Sequence, residues 1–300
     1  MASVKFDGLG VALITPFKND KSVDFDCLEK ITEHVIAGGC DYIVALGTTA
    51  ETPTLSYQEK EAITATIRKV NNGRVPLVIG IGGNSTQNVI NDIKSRDLDG
   101  FNAILSVTPY YNKPSQEGLY QHFKAISENS PLPIILYNVP GRTGVNLTSR
   151  TTIRLTHLEN ICGIKEASGN MDQCKEIINE VSENFFVCSG NDSDICKLMN
   201  IGGSGVISVL ANAFPKEVKS IVESCRNGKF ADAEVELEKY KDLIKHLFED
   251  GNPSGIKALM NHLGFANNIL RLPLVPVSLT TYNNIVKASK NFFQNPDEKK

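Results

Sequence analysis

Short apolar, β-branched runs recur along the first three quarters of the chain, at 11–17 (VALITPF), 42–47 (YIVALG), 76–83 (PLVIGIGG) and 103–111 (AILSVTPYY). They continue at 133–140 (PIILYNVP), 161–168 (ICGIKEAS), 185–192 (FFVCSGND) and 205–212 (GVISVLAN). Their near-continuous apolarity fits parallel strands buried on both faces better than the alternation of a half-exposed antiparallel sheet. Amphipathic patterns fill the gaps. Segment 24–39 places Phe25, Leu28, Ile31, Val35 and Ile36 on one stripe and ends at Gly38-Gly39. Segment 56–70 opens with Ser56 and carries Glu59 three residues on, a capping-box signature. Strand starts fall about 20 to 35 residues apart, the length of one βα unit.

Eight such units predict an α/β protein of the (β/α)8 TIM-barrel class over residues 1–228. A doubly wound open sheet is the rival, but neither GLGVAL nor GIGGNS completes the GxGxxG turn that such a nucleotide-binding sheet uses. After residue 228 the strand rhythm stops. Residues 229–300 read as a three-helix appendage, broken at Gly251-Asn252-Pro253 and again at RLPLVPVS. A polar tail, NPDEKK, follows and is expected to be mobile.

Composition narrows the function without choosing it. The 300 residues are 41% hydrophobic and carry a net charge of −3, with both signs interspersed. No basic stripe offers a nucleic-acid backbone a footprint, so no nucleic-acid partner is expected. The opening MASVKFDGLG lacks the layout of a signal peptide, and no apolar run approaches the roughly 20 residues of a membrane helix. The expectation is a soluble, cytoplasmic protein without a membrane partner. Seven cysteines at irregular spacing, none in a CxxC pair, read as reduced core thiols. The five histidines show neither HxxxH nor HExxH spacing, so no metal site is expected.

In a barrel the site lies where the strands end at their C-terminal side. Those ends bring hydroxyls, glycines and tyrosines, but only one lysine, Lys165, and no cluster of carboxylates. That disfavours a two-carboxylate glycosidase and an acidic divalent-metal site. Burial disfavours the charged form of a lysine, and a neutral amine condenses with a ketone or aldehyde to an imine. A plainer account stands beside this one: Lys165 snorkels to solvent or pairs with Glu166. Tyr137 ends the preceding strand and should lie beside Lys165, where its phenol can shuttle protons with a hydroxyl neighbour such as Thr48; a core-filling tyrosine is the alternative. Gly47-Thr48-Thr49 either cradles a small carboxylate with successive N–H groups or forms an ordinary turn. Arg142, in VPGRTG, either holds a substrate carboxylate in a two-pronged contact or is one more surface arginine. GIGG (80–83) reads as steric clearance, and Asp192 or Ser193 in GNDSD as the start of a helix.

Read together, ALGTTAET, VTPYYNKPSQEGLYQHF, YNVPGRTG, GIKEASG, SGND and GVISVLAN resemble, in order and spacing, the dihydrodipicolinate synthase family of pyruvate-dependent class I aldolases. The likeness covers essentially the whole chain. It implies that pyruvate forms a Schiff base with Lys165 and condenses with L-aspartate 4-semialdehyde, giving 4-hydroxy-tetrahydrodipicolinate in lysine and diaminopimelate biosynthesis. Tyr137 would be the proton donor and acceptor. Thr48 and Tyr111 would complete a relay, with Tyr111 reaching in from a neighbouring subunit. Thr49 and Ile207 would contact pyruvate, Gly190 would line the pocket, and Arg142 would bind the semialdehyde's carboxylate. The family's usual assembly is a homotetramer, a dimer of tight dimers, and no cofactor is implied.

The pattern departs from the family at two places. Ala50 stands where GTTGE is usual, a methyl that would shift the carboxylate cradle. The positions at which lysine-sensitive members bind lysine are here Thr52, Pro53, Tyr57, Lys60, Asn84, Asn88 and Tyr110. Asn88 is neutral where those members typically carry Glu, and Lys60 adds a like charge where they carry His, so weak or absent feedback by lysine is expected. Two rival functions remain at this level. Sister aldolases, N-acetylneuraminate lyase and keto-deoxy sugar-acid aldolases, share the lysine and tyrosine but favour GSTGE and do not need Tyr111 or Arg142. A non-catalytic paralogue that senses a keto acid would be expected to lack Lys165 or Tyr137.

Overall fold

The computed structural model describes residues 6–290 and 292. Eight parallel strands close into a barrel in chain order. They are β1 (Gly8–Ala12), β2 (Tyr42–Ala45), β3 (Leu77–Gly80), β4 (Ala103–Val107), β5 (Ile134–Asn138), β6 (Ile161–Glu166), β7 (Phe186–Ser189) and β8 (Gly205–Ser208). β8 pairs back onto β1, and helices lie between successive strands, so the (β/α)8 expectation holds. Two apolar layers result. One lies between strands and helices, and the other fills the barrel with side chains such as Tyr42, Val78, Ile135 and Phe186.

The first strand is displaced from its expected place at 11–17. Leu13, Ile14 and Phe17 are apolar and almost fully buried, but they belong to the loop at the barrel mouth. Their apolarity comes from burial outside the barrel strands, with Phe17 making only an isolated antiparallel bridge to Val23. The true strand begins in the glycine-rich GLG, which pattern reading passes over because glycine weakens a strand. Here the glycine is required: a Cβ on Gly10 would lie 2.3 Å from the Tyr42 ring that fills the barrel centre. The other runs also overshoot their strands at the C-terminal side, into the loops of the barrel mouth.

The helix of residues Phe25–Ala37 is capped by the Asp24 carboxylate, which accepts from the Cys27 N–H, and Gly38 closes it. Leu28, Ile31 and Val35 are buried as the stripe requires, but Phe25, in the first turn, is exposed. The capping box forms in full at Tyr57–Asn71: the Glu59 N–H donates to Ser56 Oγ at 3.2 Å, and the Ser56 N–H donates to Glu59 Oε2 at 2.9 Å.

Beyond residue 228, helical segments span Phe230–Glu238, Lys241–Glu249, Ser254–His262 and Leu279–Ser289. The first of the three expected helices is thus two. ψ flattens to −3° at Tyr240, where the buried ring stacks on Phe292 at 4.1 Å between centroids. The expected tail, NPDEKK, lies outside the described residues.

Candidate active site

Strand register decides which side chains meet. Tyr137 of β5 lies opposite Lys165 of β6, which lies opposite Cys188 of β7. Side chains alternate across a strand, so these three face the barrel interior while Asn138, Glu166 and Ser189 face the helices. Lys165 is only 5% exposed, and its Nζ sits 4.5 Å from the centre of the Tyr137 ring. Glu166 is bound on the other face. It accepts from Asn138 Nδ2 at 3.0 Å, Gln173 Nε2 at 2.9 Å and the Ser168 N–H at 2.8 Å. Neither snorkelling nor pairing with Glu166 therefore describes Lys165. Burial pushes the Cys188 thiol up to about 12, so it brings no negative charge to the amine beside it.

Gly190, just after β7, makes room for the lysine chain. A Cβ there would lie 2.6 Å from Ala167 Cβ and 3.0 Å from Lys165 Cε. Ile207 of β8 is fully buried in the same interior cluster as Tyr137 and Cys188.

The loop after β2 is held in an unusual shape. Leu46 (φ 54°) and Glu51 (φ 55°), both left-handed, bracket a 3-10 turn at Thr48–Ala50. Non-glycine residues adopt that conformation only where surroundings impose it, and such strain gathers at working sites. The turn uses the Ala50 and Glu51 N–H groups, which donate to the Gly47 and Thr48 carbonyls. The Thr48 and Thr49 N–H groups head it and have no acceptor within it. Gly80 permits the arrangement, since a Cβ there would lie 2.2 Å from the Leu46 carbonyl oxygen. GIGG is thus clearance, as its composition suggests. Ala50 is buried within the right-handed turn and occupies neither left-handed position, so its methyl demands no change of backbone.

Residues from the far end of the chain fix this loop. Glu51 is fully buried and accepts from Lys257 Nζ, itself fully buried, and from the Arg271 N–H at 3.1 Å. Burial pulls the Lys257 amine down to about 8, against the pull of Glu51. Lys257 also lies over the Phe17 ring, 4.0 Å from its centre. Arg271 forks onto Glu59 at 2.5 and 2.8 Å. Asn252 Nδ2 donates to Thr49 Oγ1 at 3.0 Å, and the Asn252 carbonyl accepts from Arg142 Nη2 at 3.0 Å.

Arg142 sits on the short helix Pro140–Thr143; the residue is exposed, though its guanidinium is tied to the Asn252 carbonyl. Thr48 is half-buried, and its hydroxyl is not hydrogen-bonded to the Tyr137 phenol in this structure. Tyr111 is not gathered with the others: it is left-handed (φ 74°), and its side chain is 88% exposed.

Of the lysine-binding positions, Thr52 donates to the Gly47 carbonyl, Pro53 follows it in the turn, and the Tyr57 phenol donates to the Ser95 carbonyl at 2.6 Å. Asn84 accepts from Asn112 through its carbonyl, and Asn88 and Tyr110 are exposed. Burial, then the charge of Arg96, lowers the pKa of Lys60.

Asp192 corrects the reading of GNDSD. It does begin a 3-10 turn, at Asp192–Asp194, but its buried carboxylate turns away from that turn toward the end of β8. There it accepts from Ser208 Oγ at 2.5 Å and from the Val209 and Leu210 N–H groups at 3.1 and 3.0 Å. Pattern reading also missed Glu51, although it lies inside the quoted ALGTTAET, and it treated Asn252 only as a helix break. Among the described residues, no three His, Cys, Asp or Glu side chains are grouped to hold a metal ion. A cavity of about 880 Å³ opens at the opposite end of the barrel, lined by Phe186, Ser204, Arg226 and Phe230, away from this chemistry.

The profile of the Dihydrodipicolinate synthetase family matches residues 5–291. The chain is 49% identical to the 4-hydroxy-tetrahydrodipicolinate synthase of Parabacteroides distasonis, over 95% of this chain and 96% of that one. Among solved structures it is similar to the dihydrodipicolinate synthase of Thermotoga maritima, with TM-score 0.93 and 40% identity over 95% of this chain and 98% of the other. The chloride-inhibited dihydrodipicolinate synthase of Acinetobacter baumannii, solved in complex with pyruvate, also has TM-score 0.93 and 40% identity, over 96% of this chain and 99% of the other.

Proposed function

Because the chain belongs to the dihydrodipicolinate synthetase family, we propose that it condenses pyruvate with L-aspartate 4-semialdehyde through a Schiff base on Lys165. It is a lyase with the activity of a 4-hydroxy-tetrahydrodipicolinate synthase, serving lysine and diaminopimelate biosynthesis. The observation that carries the residue assignment is Lys165 itself, buried at a strand end against the Tyr137 ring while Glu166 is bound elsewhere.

The amine adds to the keto carbon of pyruvate and water leaves, giving an imine that draws electrons from the neighbouring methyl carbon. Loss of a proton there forms an enamine, which attacks the semialdehyde carbonyl. The amine of the adduct then closes on the imine carbon, and Lys165 departs as the cyclic product forms. Tyr137 gives and takes the protons, with Thr48 beside it. Thr49 and the N–H groups heading its turn receive the pyruvate carboxylate, Ile207 and Gly190 shape the pocket, and Arg142 takes the carboxylate of the semialdehyde.

Tyr111, too exposed to serve its own barrel, reaches the relay of a neighbouring copy in a homotetramer. A cytoplasmic setting suits a biosynthetic enzyme of this family; separately, no described helix is long and apolar enough to cross a membrane. The sister aldolases would accept an amino-sugar acceptor in place of the semialdehyde, so feeding pyruvate with each acceptor separates the two reactions.

Borohydride reduction in the presence of pyruvate, followed by peptide mass mapping, tests the assignment. The expected result is a reduced pyruvate adduct on the Lys165 peptide. An unmodified Lys165 peptide, or an adduct on another lysine, would remove the assignment.

Lysine feedback should be weak. Lys60 already feels the charge of Arg96, and Asn88 offers a ligand ammonium no counter-charge. Titrating lysine during turnover is expected to leave the rate nearly unchanged at sub-millimolar concentration; half-inhibition in that range contradicts this.

A further inference from the structure

Asn252 lies in the link between two helices of the appendage, yet it is 6% exposed and joins two parts of the mouth that are far apart in sequence. Its Nδ2 donates to Thr49 Oγ1 at 3.0 Å, across 203 residues, and its carbonyl accepts from Arg142 Nη2 at 3.0 Å, across 110. Its own Oδ1 is buried without a hydrogen-bond partner among the described residues. Burying an amide with half its capacity unused is unfavourable, so a residue that merely filled space here would be apolar.

Resting on the function proposed above, we propose that Asn252 is a positioning residue: its amide aims the Thr49 hydroxyl at the pyruvate carboxylate, and its carbonyl holds Arg142 for the second substrate. The chemistry is directional. A threonine hydroxyl has one proton and two lone pairs. While the Asn252 amide donates to one lone pair, the hydroxyl proton is free to point into the pocket, where a carboxylate accepts it. A carboxylate at position 252 reverses this, because it can only accept. It would draw the Thr49 proton toward itself and set a negative charge beside the cradle. The appendage thereby contributes to substrate selection, with one residue serving the anchors of both substrates.

The test uses the full chain and measures kcat, the KM of each substrate and Tm. Asn252→Asp is nearly isosteric and is expected to raise the pyruvate KM by at least about tenfold, with a smaller change in kcat. Borohydride should still label its Lys165 at saturating pyruvate. In a Thr49→Val background, where there is no hydroxyl to aim, only the repulsion of the new charge remains, and the same substitution should raise the pyruvate KM by a several-fold smaller factor. A purely structural role predicts the same factor in both backgrounds, and that result overturns the proposal. So does an Asn252→Asp protein whose pyruvate KM stays within about twofold of the parent. Should Asn252→Asp fail to fold, Asn252→Ala removes the side-chain donor without adding charge, keeps the backbone carbonyl that holds Arg142, and should still raise the pyruvate KM; an unchanged pyruvate KM overturns the proposal equally. Absence of a borohydride adduct in the parent protein would instead remove the Schiff-base reading. Calorimetric titration of pyruvate into the parent and variants then still measures the coupling between Asn252 and Thr49.

Discussion

Lys165→Met is expected to lower kcat/KM by at least about 10⁴-fold and to leave the fold as stable as before, or more so. The first half follows from the loss of the only nucleophile assigned to the chemistry. Lys165→Arg should be equally inactive, since a guanidinium remains charged and forms no imine. The second half follows from what surrounds the amine: an aromatic face, a protonated thiol and a carboxylate bound on the opposite side of the strand. The buried Asp192 carboxylate feels the charge of Lys165, but its hydrogen bonds go to Ser208 and to the Val209 and Leu210 N–H groups, so removing the amine leaves no hydrogen-bond partner unpaired, and methionine fills a similar volume with apolar atoms. Steady-state kinetics and thermal denaturation check the two halves separately. Activity above about a hundredth of the parent's would refute the catalytic assignment.

The other fully buried lysine should behave in the opposite way. Lys257→Met is expected to cost about 3–5 kcal/mol, because Glu51 is left charged, enclosed and without its counter-ion. The double substitution Glu51→Gln with Lys257→Met should recover much of the loss, since glutamine keeps an oxygen for the Arg271 N–H. Denaturant titration of the single and the double variant is the measurement. A single variant as stable as the parent would show that the pair contributes nothing to holding the Thr48–Ala50 turn. If the proposed function holds, one lysine serves reactivity and the other architecture, and stability alone tells the two apart.

The same contrast shows what could be read in the sequence. The barrel was legible because parallel strands covered on both faces leave unbroken apolar runs, and the alternation of strands with capped helices admits few other folds. Lys165 and Tyr137 were legible because a charged or phenolic side chain at the end of such a run has few structural reasons to be there. β1 was misplaced because its glycines look like a turn until Tyr42 is seen filling the space they leave. The divided helix at Tyr240 was invisible because every residue around it favours a helix, and only packing on Phe292 marks the break. Glu51, Lys257 and Asn252 were missed for a common reason. Their roles depend on partners about 200 residues away, and no local pattern records such a meeting.

The long reach of those contacts also orders events during synthesis. A ribosome releases the lysine and tyrosine of the barrel well before residues 252, 257 and 271, which tie down the threonine loop. A nascent chain therefore carries Lys165 for a time without the contacts that fix the threonine loop, and the proposed activity has to await the synthesis of residues 252 to 271.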